Sequence, residues 1–254
     1  QSWKEMPAWR SLGVKWTRFW NWSLAWFELE PEPGAFYWDY LDHAVAESMA
    51  NGQEVLFTVI GTPAWASAHP ADEEILQTLR GYGVREVDAL RQVPGYQLLY
   101  PAREMADWDR FLRELFRRYK GKIKYYELWN EPNSWPHFAG TAEQYVELLK
   151  TMHQAMREED PDARLVGACG CPGYLEWTKT IVAQGAAPYL DIVSLHDYNY
   201  SSPIAWARKR LIAQTGEAVR AVRGEAVPLW NTEFGFPMPQ RESGDPPISR
   251  ESFI

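Results

Sequence analysis

Tyr125-Tyr-Glu-Leu-Trp-Asn-Glu-Pro-Asn133 is the stretch on which the fold turns. Ile123–Trp129 is apolar and aromatic, as a buried strand is, and Glu131 stands where that strand stops. Pro132 has no N–H to give to a ladder, so the strand cannot run past it. An acid placed at a strand end, ahead of a Pro, is a pattern that sheets present to a cleft.

The same rhythm repeats on both sides of this segment. Val14–Trp20 and Val55–Ile60 read as strands before it; Arg164–Ala168, Asp191–His196 and Val227–Thr232 read as strands after it. Helical patterns lie between them. Tyr40–Asn51 carries Leu41, Ala44, Val45, Ser48 and Met49 on one stripe, and Asn51-Gly52 stops it. Asp107–Tyr119 holds a similar stripe over three turns, and Thr141-Ala-Glu-Gln144 has the form of a capping box opening the next helix. Leu175–Ala183 and Ala205–Val222 complete the series. Continuous apolar strands alternating with helices predict a parallel sheet covered on both faces.

Six strands fit either an open doubly wound sheet or a (β/α)8 barrel. No Gly-rich phosphate loop follows the first strand and no GxxxxGK[ST] occurs, which tells against the nucleotide binders. The expected fold class is α/β, a (β/α)8 barrel with strands two to seven visible. Trp3–Leu12 reads as the end of a helix after a first strand, and Pro246–Ile254 as the start of one before an eighth. A barrel short of two strands would have open edges. Residues 1–254 are therefore expected to be a single domain, a fragment of a longer chain.

Composition narrows the partners. The chain has 254 residues, 26 Lys+Arg against 34 Asp+Glu, and a net charge of -8. Hydrophobic residues make up 46%, enough to offset ordering entropy, so disorder is excluded. Nucleic acid and anionic membranes need a basic footprint that is missing. No apolar run reaches the ~18–20 residues that span a bilayer. Fourteen Trp offer broad faces suited to sugar rings, and equally suited to an aromatic core. Cys169 and Cys171 are too close for a disulfide framework or a zinc knuckle and read as two small side chains near a strand end.

Glu233, in Leu229-Trp-Asn-Thr-Glu-Phe-Gly235, ends the last strand as Glu131 ends the third. Two carboxylates facing each other over a barrel mouth are the minimum equipment for cutting a glycosidic bond: one protonates the leaving oxygen, the other attacks or activates water. Two surface carboxylates at loop starts are the competing reading.

YYELWNEPN resembles the strand-four signature of the large clan of retaining glycoside hydrolases built on (β/α)8 barrels, and LWNTEFG resembles its strand-seven signature. Phe27–Phe36 is similar to the clan's entry into helix two, and Gly61-Thr-Pro-Ala-Trp65 to the turn after strand three. With His196-Asp-Tyr198, the latter points toward glycoside hydrolase family 39, the group of β-xylosidases and exopolysaccharide hydrolases.

The resemblance implies that Glu131 is the acid/base, Glu233 the nucleophile, and Asn130 a hydrogen-bond partner of the sugar 2-hydroxyl. It implies a β-linked oligo- or polysaccharide substrate and a secreted or periplasmic bacterial enzyme, with no cofactor. Arg18, at a strand end, would hold the nucleophile ionised. His196 and Tyr198 share parity with Ser194, so either ring could bond Glu233 or a sugar hydroxyl, or His196 could be a satisfied core residue. Glu127 points inward, most simply as a structural ion pair. Trp65 would stack on a sugar or belong to the core. The long Ala66–Arg103 segment, with Tyr82, Tyr96 and Tyr100, would shape the cleft. No HExxH or clustered His/Asp spacing suggests a metal, and no Ser nucleophile elbow is present. If the nearby Glu233 is ionised, it is expected to raise the pKa of Glu131 by like-charge repulsion. The alternative function is a carbohydrate-binding barrel without chemistry; transglycosylation by the same residues is a third.

Overall fold

A computed structural model describes residues 11–68, 99–134, 137–198 and 205–234. Six strands occur among them: β1 Trp16–Phe19, β2 Glu54–Val59, β3 Tyr125–Leu128, β4 Arg164–Gly170, β5 Ile192–His196 and β6 Leu229–Glu233. Each pairs in parallel with its neighbour in chain order. The helices are α1 Trp26–Leu29, α2 Asp39–Ala50, α3 Met105–Tyr119, α4 Ala142–Glu159, α5 Tyr174–Ala183 and α6 Ala205–Arg223. Strand boundaries differ from the sequence reading by one or two residues.

Strand order decides between the two candidate folds. A doubly wound sheet reverses its order at a switch point; this sheet runs β1 to β6 without reversal. It is also curled. Laid flat, five inter-strand steps of about 4.8 Å would separate β1 from β6 by ~24 Å. Instead the Trp16 ring of β1 lies 5.0 Å from the Trp230 ring of β6. The architecture is the α/β partial (β/α)8 barrel expected.

Alternation sorts the strand residues onto two faces. Phe19, Val55, Phe57, Val59, Tyr126, Leu128, Leu165 and Val193 face outward and join the helices in the main core. α3 contributes Trp108, Phe111, Leu112, Leu115, Phe116 and Tyr119, all buried on one stripe. α4 begins at the capping box: Gln144 N–H donates to Thr141 Oγ1 at 3.2 Å, and Thr141 N–H to Gln144 Oε1 at 2.8 Å. The inward face is different. Its N-terminal end is a small apolar plug of Leu56, Val166 and Ile192 with Tyr125 and Trp230. Above the plug the inward residues are polar: Arg18, Thr58, Glu127 and Thr232. The plug closes the bottom, so the polar layer faces the C-terminal rim.

No helix among the described residues is long and apolar enough to cross a membrane. The segments expected to end and to start helices, Trp3–Leu12 and Pro246–Ile254, lie almost wholly outside the described residues, as do Tyr82 and Tyr96. The stems of the Ala66–Arg103 segment meet in an antiparallel bridge between Ser67 and Ala102.

Candidate active site

Arg18 is the hub of the polar layer. Its Nε donates to Glu127 Oε2 at 2.7 Å, its Nη1 to Glu233 Oε2 at 2.8 Å and its Nη2 to Asn130 Oδ1 at 2.9 Å. A planar guanidinium can serve three partners at once because its five N–H groups are held in a fixed fork. Burial works to discharge Arg18, but Glu127, Cys169 and Glu233 outweigh it and raise its pKa.

Glu127 is fully buried and also accepts from Thr58 Oγ1 at 2.9 Å and Thr232 Oγ1 at 2.8 Å. Burial pushes its pKa up; Arg18 first, then His196, push it further down, so the net shift is downward and the carboxyl is ionised. The ion-pair reading of Glu127 describes its contacts, and those contacts include the arginine that grips Glu233.

The two glutamates reach the rim through broken alternation. Trp129 and Glu131 have φ of 64° and 49°, and Ala168 and Cys169 have φ of 77° and 45°. These four are the non-glycine residues with positive φ among the described residues. Such conformations cost about 1–3 kcal/mol each and persist where the surroundings impose them. Here they cluster at the ends of β3 and β4. Glu131 N–H donates to Cys169 O at 3.1 Å, which ties the two strained turns together. Glu233 is turned inward by an irregularity between β5 and β6, where His196 pairs with Glu233 and the register slips by one residue.

His196 lies between the acids. Its Nδ1 is 2.9 Å from Glu131 Oε1 and 3.8 Å from Glu233 Oε2, and its Nε2 is 3.3 Å from Cys169 Sγ. Tyr198 donates its hydroxyl to Glu233 Oε1. A carboxylate oxygen of Glu131, a ring nitrogen of His196 and a carboxylate oxygen of Glu233 all lie within 4.8 Å of one another. Glu127, Cys169 and His196 are equally close. Both sets have the atom types to hold a divalent cation, but Arg18 already supplies the counter-charge to Glu127 and Glu233.

The pKa of Glu131 departs from the sequence expectation. Burial acts to raise it, but the imidazoles of His137 and His196 outweigh that and lower it to about 2. The neighbouring imidazoles, not the like charge of Glu233, dominate. His137 was not singled out in the sequence as a site residue; its Nδ1 lies 3.0 Å from Glu131 Oε2, at ion-pair distance without hydrogen-bond alignment. The one available signal was its position six residues after Glu131 in the same loop.

The structure therefore brings Arg18, Asn130, Glu131, His196, Tyr198 and Glu233 into one network. Trp65 belongs to another. Its indole N–H donates to Glu30 O at 3.2 Å, its ring lies edge-on to Trp26 at 5.8 Å, and the Arg110 guanidinium lies 5.4 Å from its centroid. Beside Arg18 and Glu233, a cavity of about 430 Å³ is lined also by Phe19, Trp20, Asn21 and Thr232.

A model of the glycosyl hydrolases family 39 matches residues 96–239, more than half of the chain. No curated protein matches it. Among solved structures, it is similar to a glucosidase from Croceicoccus marinus, at 17% identity and a TM-score of 0.65, covering 94% of this chain and 49% of that one. A family 39 glycoside hydrolase from the gut symbiont Bacteroides cellulosilyticus is 19% identical, with a TM-score of 0.62 and coverage of 92% and 46%. A family 39 β-xylosidase from Caulobacter crescentus is 19% identical, with a TM-score of 0.56 and coverage of 93% and 50%. The chain spans about half the length of these proteins. At such identities the likeness shows the fold.

Proposed function

From the premise that this chain belongs to glycosyl hydrolase family 39, we propose that it is the catalytic domain of a retaining glycoside hydrolase acting on a β-linked glycan. Glu233 is the nucleophile, Glu131 the acid/base. The observation that carries this reading is the closeness of the two acids: one oxygen of each lies within 4.8 Å of the other. Carboxyl separations of about 5–5.5 Å suit direct attack on the anomeric carbon, whereas inversion needs ~6.5–9.5 Å to admit a water.

The chemistry follows from the contacts. Arg18 and Tyr198 orient Glu233; as Glu233 attacks C1, the C1–O bond breaks and Glu131 gives its proton to the leaving oxygen. In the second step Glu131 deprotonates water, which releases the sugar. Arg18 donates to Asn130 Oδ1, which leaves the Asn130 amide nitrogen to donate to a sugar hydroxyl.

In the free state Glu131 is ionised, which favours the second reading, a barrel that binds glycans without cutting them. The physical answer lies in the balance of forces on the carboxyl. Burial is the largest influence on it and acts upward. A sugar that covers Glu131 and displaces the poorly aligned His137 strengthens that influence and weakens an opposing one.

A panel of aryl β-glycosides assayed with the wild type and Glu233→Gln tests the assignment. Turnover by the wild type and its abolition in the variant are expected. Substantial activity in the variant rejects the nucleophile, and glycan binding without turnover by the wild type establishes the second reading.

A further inference from the structure

Cys169 has no part in the scheme above, yet it reaches the acid/base by two routes, one direct and one through His196. Its carbonyl accepts from Glu131 N–H at 3.1 Å, and its sulfur lies 3.3 Å from the nitrogen of His196 opposite the one that faces Glu131. Arg18 Nη2 approaches the same sulfur at 3.6 Å. We propose that Cys169 is a positioning residue for the proton chemistry of Glu131, acting through His196. The inference rests on the reading of Glu131 as the acid/base.

His196 is completely buried, so water does not readily satisfy Nε2. A thiol is both a weak donor and a weak acceptor. When Glu131 is ionised, the His196 ring is cationic: Nδ1–H donates toward Glu131 and Nε2–H donates to the sulfur. When the Nδ1–H bond breaks and its proton forms an O–H bond on Glu131, the ring keeps the electron pair at Nδ1 and donates from Nε2 to the sulfur. Cys169 can partner both states without moving, and a side chain with no polar atom can partner neither.

The charged and titratable groups around the ring come from every neighbouring strand. They are Arg18 on β1, Glu127 and Glu131 on and after β3, Cys169 on β4, and Glu233 on β6. Asp197 and Tyr198 follow the ring on its own segment. Burial works against the cationic ring; Cys169 and then Glu131 outweigh it, with Arg18 opposing, and the pKa is pushed up to about 10. The left-handed φ of Ala168 and Cys169 is the backbone counterpart of this arrangement, because it turns the end of β4 toward His196.

The test compares Cys169→Ala and Cys169→Ser with the wild type, each in the full chain. Nitrogen-15 NMR of the His196 ring reads the coupling directly. The Ala variant is expected to titrate at least about one unit lower, a tenfold change in proton affinity, with Ser recovering part of it. An unchanged His196 titration in Cys169→Ala overturns the proposal. Aryl glycosides give the second readout. With poor leaving groups, which need the acid, kcat/KM of the Ala variant, which reports the first step, should fall about tenfold. With a dinitrophenyl leaving group, whose departure needs no proton, kcat/KM should stay at the wild-type value. An equal loss for all leaving groups overturns the proposal in favour of a merely structural cysteine. Glu131→Gln is the control that separates the two ideas. If it lacks the leaving-group dependence, the acid/base assignment fails, while the NMR comparison still decides whether Cys169 governs His196.

Discussion

Glu30 and Glu127 are two fully buried carboxylates, each paired with one arginine, in two different parts of the molecule. Glu30 follows α1 in the layer between the sheet and the helices. It accepts from Trp26 Nε1 at 2.7 Å, from Gly34 N–H at 2.7 Å and from Arg110 Nη2 at 2.8 Å. Gly34 sits in a tight turn with φ of 78°, a left-handed conformation that glycine adopts at little cost. Glu127 lies inside the curled sheet and is held by Arg18 and two threonines. The two carboxylates are alike; their arginines are not. Nη1 of Arg110 reaches Asp107, a half-exposed neighbour on the same helix, whereas the remaining nitrogens of Arg18 reach Glu233 and Asn130. A buried acid thus acquires a bearing on chemistry from what its partner touches next.

The largest effect that would break this contrast is on Arg18. Arg18→Met leaves Glu127 as an uncompensated buried charge, and about 3–5 kcal/mol of stability should be lost together with turnover. A denaturant midpoint close to that of the wild type would show that water or another cation reaches Glu127. Arg110→Met should cost less, about 1–2 kcal/mol, because Glu30 keeps two donors and the Arg110 side chain is already 39% exposed against 14% for Arg18. Its kcat should match the wild type; a large fall would tie the Glu30 cluster to the site.

Trp65→Phe removes the bond to Glu30 O and should cost about 0.5–1.5 kcal/mol. An unchanged KM is expected if Trp65 only braces the cluster, and a several-fold rise would mark it as a sugar contact.

A pH slope sharpens the comparison, because the described partners of Glu30 include no imidazole. Glu131 is lowered from 4.5 to about 2, so its contribution to stability is present above pH 4.5 and is lost as pH falls toward 2. His196 is raised from 6.5 to about 10, so its contribution is present below pH 6.5 and is lost as pH rises toward 10. Thermal midpoints should therefore peak between these limits. His196→Gln should flatten the basic slope and Arg110→Met should leave it intact; a basic slope that survives His196→Gln would assign it to another group.

Much of the architecture was legible because it is written in neighbouring residues. The stripe Trp108, Phe111, Leu112, Leu115, Phe116 and Tyr119 repeats every turn, and Thr141 and Gln144 are near enough in the chain to announce their capping box. Glu131 and Glu233 were placed at strand ends by Pro132 and by the apolar runs before them. His137 was placed in a loop and ranked among the weaker histidines, because a loop has no periodicity to aim a side chain by. The direction of the Glu131 pKa was misjudged because only Glu233 was weighed as its neighbour, while two imidazoles stand at its oxygens.

The sequence by itself determined the alternating elements, the apolar outer face of the strands and the pair of acids where two of them stop. These depend on periods of two and about 3.6 residues, which short segments carry without help from the rest of the chain. Only the tertiary structure decided that the sheet curls until Arg18 meets Glu233, 215 residues away. It alone set the left-handed turns that aim Glu131 and Cys169, and the protonation of the groups between them. A distance across a curled sheet sums the twist and packing of every strand, and a pKa sums every nearby charge; neither sum is held by any one stretch of residues.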